Sequence, residues 1–182
     1  LQSLDQETSG NFLNEGVSVS ITENNAISSS KTFICAGGPT SGESVGGFLT
    51  YESISNAAFG SHVAYQSASF CTDYTGEYSD ISDDGLFCVC SQLENNAIRV
   101  YKYNSGSGNY GSIFQSVLGF KSCKVSGNGG NYLLVSNHSN LLRVYVFGTT
   151  FTLQQTISTQ DIRHFDIASG GSILYFVTSD NV

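Results

Sequence analysis

Tryptophan and methionine are absent from this chain of 182 residues, and its single proline is Pro39. Charged residues amount to 12%, about half the usual share for a globular protein. Ser, Gly, Asn and Thr stand where Lys and Glu usually would. The good helix formers do not come in runs, while Val, Ile, Tyr, Phe and Thr are common. That composition favours strands joined by polar turns. Basic residues are scarce too: 7 Lys and Arg against 15 Asp and Glu give a net charge of −8. A surface of that sign repels phosphate backbones, and no Lys/Arg cluster offsets it, so nucleic acid is excluded as an expected partner. Anionic membranes are disfavoured for the same reason. No apolar run approaches the roughly 18 residues that a spanning helix needs. What is present suffices for a core: 40% of the residues are hydrophobic, and the length suits one domain. The chain opens at Leu1 without a visible signal peptide, which reads as a processed start or a piece of something longer.

Missing motifs narrow the chemistry further. There is no Gly-x-x-x-x-Gly-Lys-Ser/Thr loop, no Gly-x-Ser-x-Gly and no Cys-x-x-Cys. Gly106-Ser107-Gly108-Asn109-Tyr110-Gly111 only superficially looks like a dinucleotide fingerprint, because it lies between two strand patterns and opens no helix. No cofactor is therefore expected. The acids Asp73, Glu77, Asp80, Asp83 and Asp84 lack the calcium-loop spacing, and read as an Asp83-Asp84-Gly85 turn plus solvated side chains. His62 and His138 stand alone, without ligand-spaced partners, so no metal site is expected. The cysteines are Cys35, Cys71, Cys88, Cys90 and Cys123, an odd count that leaves at least one thiol unpaired within the chain. Their first reading is small buried hydrophobes. A Cys71–Cys123 disulfide comes second. Cys88 and Cys90, two apart, point the same way on a strand.

Internal repeats carry most of the information. Arg99-Val100-Tyr101 returns as Arg143-Val144-Tyr145. A glycine turn before an apolar run occurs at 83–87, 128–133 and 169–174. Apolar-Gln pairs occur at Leu1-Gln2, Tyr65-Gln66, Phe114-Gln115 and Leu153-Gln154. Short alternating segments precede the glycine turns: Asp80-Ile81-Ser82, Lys124-Val125-Ser126 and Asp166-Ile167-Ala168. Each repeat then reads as four strands. First strands are expected at 79–82, 122–126 and 162–168, and second strands at 86–91, 132–136 and 173–178. Third strands fall at 97–103 and 142–147, fourth strands at 110–118 and 151–157. The second strands are apolar on both faces, as covered central strands are. A looser repeat precedes these, with strands at 17–21, 32–36, 48–51 and 62–70 and a long glycine-rich loop at 37–47, the kind of insertion where binding surfaces form.

Four-stranded units of about 40–50 residues are the blades of β-propellers. The Asp-Asp-Gly turn and the Arg-Val-Tyr strand resemble WD-repeat and related propellers over residues 16–182, without the Gly-His and Trp-Asp signatures. The expected fold is all-β: one propeller segment of four-stranded antiparallel blades at about 16–71, 78–118, 122–157 and, in part, 162–182, with 1–4 ending a preceding blade. Three full repeats and parts of two make an incomplete ring, which is read first as part of a longer chain, second as one completed by other copies, with a solenoid or sandwich as the third reading.

Arg163-His164, at the start of a first strand, is the pair that suggests catalysis. It resembles the Arg-His segment of lactonase-type propellers, which implies a funnel-lining pair polarising a lactone carbonyl, with Asp180 near the expected acid. The competing reading is a solvent-facing pair on an ordinary strand. Asn137-His138-Ser139 is an N-glycosylation sequon in an expected turn. The leading functional expectation is a non-enzymatic scaffold or binding module with protein partners or self-assembly. It extends to a structural subunit of a filamentous assembly that is extracellular or at the cell surface, with the cytoplasm as the alternative. A lactonase-like hydrolase and a glycan-binding surface protein are the other two readings.

Overall fold

A computed structural model describes the backbone of residues 18–21, 31–38, 47–54, 62–66 and 75–77. It describes backbone and side chains of residues 78–92, 95–108, 110, 113–127, 132–159, 161–168, 171 and 173–178. These residues form fourteen strands. The first sheet is β1 (Ser18–Ile21), β2 (Lys31–Gly38), β3 (Gly47–Ile54) and β4 (His62–Gln66). The second is β5 (Thr75–Ile81), β6 (Phe87–Gln92), β7 (Ala97–Lys102) and β8 (Ile113–Leu118). The third is β9 (Ser122–Ser126), β10 (Tyr132–Ser136), β11 (Leu141–Phe147) and β12 (Phe151–Ser158). The fourth pairs β13 (Ile162–Ile167) with β14 (Leu174–Thr178). Every pairing joins strands consecutive in the chain and is antiparallel. The chain is thus all-β, with four-stranded antiparallel sheets; each strand overlaps an expected one, but β5 begins at Thr75 where 79 was expected, β8 at Ile113 where 110 was expected, and β4 ends at Gln66 where 70 was expected. No described helix is long and apolar enough to cross a membrane. Residues 1–4, Cys71, Asp180 and the 39–46 part of the glycine-rich loop lie outside the described residues.

The register exposes a regularity that sequence matching misplaces. A bulge falls between Val100 and Tyr101 in the β7–β8 pair and between Val144 and Tyr145 in β11–β12. The β3–β4 pair has the same irregularity between Thr50 and Tyr51. Thr50-Tyr51 is therefore the Val-Tyr step of the first sheet, unrecognised in the sequence because its Arg and Val are missing. The bulge also corrects the apolar-Gln marker. Gln115 lies opposite Val100 and Gln155 opposite Val144, so Gln155, not Gln154, matches Gln115. Gln66 lies opposite Phe48, two residues away from that position. An extra residue in one strand shifts everything beyond it, and a dipeptide match cannot register the shift.

The sheets stack face to back, with the first strands β1, β5, β9 and β13 as successive neighbours. Strand alternation divides the second sheet. Cys88, Cys90 and Tyr101 face one way, with Ile81 and Tyr110. Phe87, Val89, Ile98 and Val100 face the other and meet Cys123, Val125, Leu133, Val135, Tyr145 and Phe151 of the third sheet. This double-sided burial keeps all six residues of β6 from solvent. The three cysteines whose side chains are described, Cys88, Cys90 and Cys123, are buried. In the third sheet the pattern repeats: Leu133, Val135 and Tyr145 face back, while Leu134 and Leu142 face forward onto Ile162. β14 departs from the expected double cover. Tyr175 is 57% and Val177 55% exposed. Among the described residues, β14 has β13 on one edge and no strand on the other, so its apolar side chains lack the layers that bury β6.

Polar groups lock the second sheet to the third at three levels. Asp80 Oδ2 accepts a hydrogen bond from the Val125 backbone N–H at 2.9 Å, and Oδ1 lies 3.9 Å from Lys124 Nζ. Asp80 is buried, as is Asp84, whose Oδ1 accepts from Ser82 Oγ at 2.7 Å and Leu86 N at 2.9 Å. The reading of Asp80 as solvated is thus overturned, because a strand residue beside a neighbouring sheet finds donors in the interior, while Asp84 closes the turn expected at Asp83-Asp84-Gly85. Gly127 packs under that turn. A Cβ there would stand 2.8 Å from Asp84 Cγ and 2.9 Å from its backbone nitrogen. At the outer strands, the Gln115 carboxamide clasps the Phe151 backbone, donating to its carbonyl at 2.9 Å and accepting from its N–H at 2.8 Å. Gln155 occupies the matching place on the third sheet and is exposed.

Candidate functional site

One end of the stack gathers the turns between second and third strands and the connections from fourth to first strands. Gly119 N and Phe120 N donate to the Asn96 carbonyl at 2.6 and 3.1 Å. Lys121 N donates to Ser136 O at 2.9 Å, and Thr159 N to Asn140 O at 3.0 Å. Asp161 N donates to Ser139 O. Each connection is therefore pinned to the turn of its own or the neighbouring sheet, and the side chains at this rim have fixed origins. Asn137 makes the β10–β11 turn. Its Oδ1 accepts from Ser139 N at 3.0 Å, Asn140 N at 3.2 Å and Leu141 N at 3.0 Å, a side-chain mimic of a backbone turn. That supplies a folding role for the sequon asparagine. The same turn holds His138 at φ 61°, a left-handed conformation that His and Asn adopt more readily than most residues.

This geometry assembles side chains that are far apart in the chain. The His138 ring packs on Tyr78 of β5, centroids 5.1 Å apart at 42°. Its Nε2 is screened from solvent and has no hydrogen-bond partner among the described residues. Burial, helped by the charges of Lys121, His164 and Arg163, holds the His138 pKa below the ordinary histidine value. The adjacency of β9 and β13 puts Arg163-His164 on the sheet next to His138, a neighbourhood that sequence spacing does not reveal. Arg163 and His164 are both exposed on β13. A bulge between Ile162 and His164 leaves Arg163 with no opposite residue on β14. The guanidinium Nη2 meets Asp161 Oδ2 at 2.6 Å. Both partners are well exposed, so this pair orients Arg163 and adds little to stability.

Lys121 and Arg163 put positive charge on this rim of a chain whose net charge is −8, with Asp161 pairing Arg163, while burial disfavours the charged form of His138. Among the described residues, no hydroxyl, thiol or carboxylate hydrogen-bonds to either imidazole, so neither histidine has the base–nucleophile contact of acyl-transfer sites. No cluster of three His, Cys, Asp or Glu capable of holding a metal occurs among them either. What the arrangement offers is N–H donors and positive charge, the equipment for holding an anionic group.

No family model matches the chain, and no curated protein matches it. Two crystal structures of Sqt1 from Chaetomium thermophilum do. One superposes with a TM-score of 0.64 at 12% identity, the other with 0.62 at 11%. Each match covers 94% of this chain and 43% of the Sqt1 chain, so this chain spans less than half the length of the structures it resembles. At such identity the likeness is one of fold. Sequence reasoning singled out Arg163 and His164 but missed Tyr78, Lys121 and His138 as their neighbours. The three come from a strand, a connection and a turn of two different sheets, and no local motif joins them.

The depressed His138 pKa makes a prediction about stability. Below the ordinary histidine value the unfolded chain takes up a proton that folded His138 refuses. Stability is therefore expected to fall as pH drops through that range, and to level off below the folded pKa. His138→Asn, which tolerates the same φ, should flatten this slope. Urea midpoints of both proteins at stepped pH check it; identical slopes would refute it.

Proposed function

We propose that the four sheets are blades of a propeller, and that the chain is a non-enzymatic protein-binding module. In this reading the rim of Lys121, His138, Arg163 and His164 receives an acidic segment of a protein partner. The observation that carries it is the gathering at one end of the sheets of the connection with Lys121, the turn with His138 and the start of β13 with Arg163 and His164, joined by backbone hydrogen bonds from Lys121 to Ser136 and from Asp161 to Ser139, on an otherwise acidic chain. The fold likeness to Sqt1 supports a propeller architecture. Lactone hydrolysis is less well supported, because Arg163 is engaged by Asp161 on an exposed strand.

The test is a charge reversal. Lys121→Glu combined with Arg163→Glu should weaken capture of the native partner, identified by cross-linking in the source organism, by at least about tenfold. A control acid placed at exposed Thr152 should leave capture unchanged. Equal capture by both variants would sink the assignment of the rim.

A further inference from the structure

The His138 side chain joins the third sheet to the second through one ring contact. It belongs to the β10–β11 turn, and it packs on Tyr78 of β5 with centroids 5.1 Å apart. The backbone is anchored on both sides of this contact. Tyr78 N donates to Ser91 Oγ at 3.0 Å, and the Tyr78 carbonyl lies 3.8 Å from Cys123 Sγ. His138 N donates at 3.1 Å to Ser136 Oγ, which belongs to a fully buried residue. The Asn137 carboxamide closes the turn around it. What remains free is rotation of the imidazole about its own side-chain bonds.

The protonation state of the ring decides whether it can stay. A neutral imidazole has one N–H and one bare nitrogen. Nε2 is screened from solvent with no acceptor among the described residues, a place that suits the bare nitrogen. Protonation makes both nitrogens donors, and so puts a charged N–H where nothing accepts it. The groups around the ring do not relieve that cost. Lys121 on the β8–β9 connection and Arg163 on β13 are cations, and His164 beside Arg163 brings no negative charge. Asp161, whose N–H donates to Ser139 O, has its carboxylate on Arg163. The face of Tyr78 attracts a cation, but it supplies no lone pair for Nε2–H, whereas water hydrates both N–H groups of a ring turned outward.

We propose that the His138–Tyr78 contact is an acid-released latch between the second and third sheets. Neutral His138 lies closed on Tyr78. The imidazolium swings into solvent and detaches the β10–β11 turn from β5, while the sheets stay folded. The direction follows from proton linkage. The closed state disfavours the proton, so below the ordinary histidine value the open state binds more protons than the closed one. Each pH unit lost in that window raises the ratio of open to closed by up to about tenfold. The latch uses the turn and β5 alone, and stands whether or not the rim receives a partner.

Proton NMR of the unaltered chain tests it, through cross-relaxation between the His138 and Tyr78 rings followed from about pH 7.5 to about pH 5, across the histidine range. These cross-peaks should fade as the His138 signals move to their protonated positions, while the amides of Leu134 and Val135 in β10 keep theirs. In His138→Asn, the Tyr78 ring signals should stop responding to pH. Cross-peaks that survive protonation of His138 would overturn the proposal, since the cation would then rest on the ring. So would a Tyr78 response that persists in His138→Asn, or loss of the β10 amides together with the contact, which is unfolding and not release. If His138→Asn does not fold, the cross-peaks of the unaltered chain decide alone.

Discussion

Phe87→Ala is expected to cost about 3–5 kcal/mol, the range for emptying a well-packed aromatic site. Phe87 is completely buried at the start of β6 and touches the rings of Phe114, Phe147 and Phe151 at centroid distances of 5.9, 4.7 and 4.9 Å. Those neighbours come from β8, the end of β11 and the start of β12, so one truncation opens the interface between two sheets. The three rings are anchored on separate strands and cannot collapse together into the void. A loss of that size is a large share of the roughly 5–15 kcal/mol by which domains are stable. Phe87→Leu, which keeps most of the volume, should cost about 1.5 kcal/mol or less beyond its smaller area. Urea unfolding followed by far-ultraviolet circular dichroism measures both. A loss below 1 kcal/mol for the alanine variant would mean that the interface is looser than the ring geometry implies.

Asp80→Ala is the second large effect, expected at about 2–3 kcal/mol because it strands a buried donor. A hydrogen bond and an ion pair to β9 meet at this carboxylate, and their sizes can be compared. The hydrogen bond from Val125 N is 2.9 Å long and buried, and without Asp80 that buried N–H loses this acceptor. The ion pair with Lys124 is 3.9 Å long, and the lysine side chain is 37% exposed. Half-exposed pairs of that length contribute little. Lys124→Met should therefore be nearly neutral, and Asp80→Asn, which keeps an acceptor, should fall between neutral and the alanine loss. If Lys124→Met cost as much as Asp80→Ala, charge and not hydrogen bonding would be holding β5 to β9. Unfolding curves of the three variants against the parent chain separate these cases.

Much of the fold is legible in the chain without coordinates, for reasons that particular elements make plain. Alternation in Ile98-Arg99-Val100-Tyr101 separates two faces, and the structure buries Val100 forward and Tyr101 back. Turn chemistry places Asn137 and Gly85 where side-chain capping and a φ of 72° are needed. The Arg-Val-Tyr repeat marks equivalent third strands, yet its two arginines serve differently. Arg99 reaches Gln92 at 2.8 Å and Ser116 at 2.6 Å within its own sheet, whereas Arg143 lies 5.2 Å over the Phe120 ring from the preceding connection. Local pattern predicts that such a residue recurs, but not which partner awaits it.

The amino-acid sequence by itself determined strand positions, the four-strand grouping and the alternation of buried faces, because these depend on near neighbours and on a period of two along the chain. Tertiary structure alone decided the register past each bulge, the burial of Asp80 and Asp84, the exposure of β14, and the meeting of His138 with Tyr78. Each of these depends on which sheet stacks against which, and on sums of weak contacts between residues that are distant in the chain. A strand carries its own hydrophobic period wherever it lies, but a carboxylate or an imidazole acquires its environment only when another sheet is laid over it.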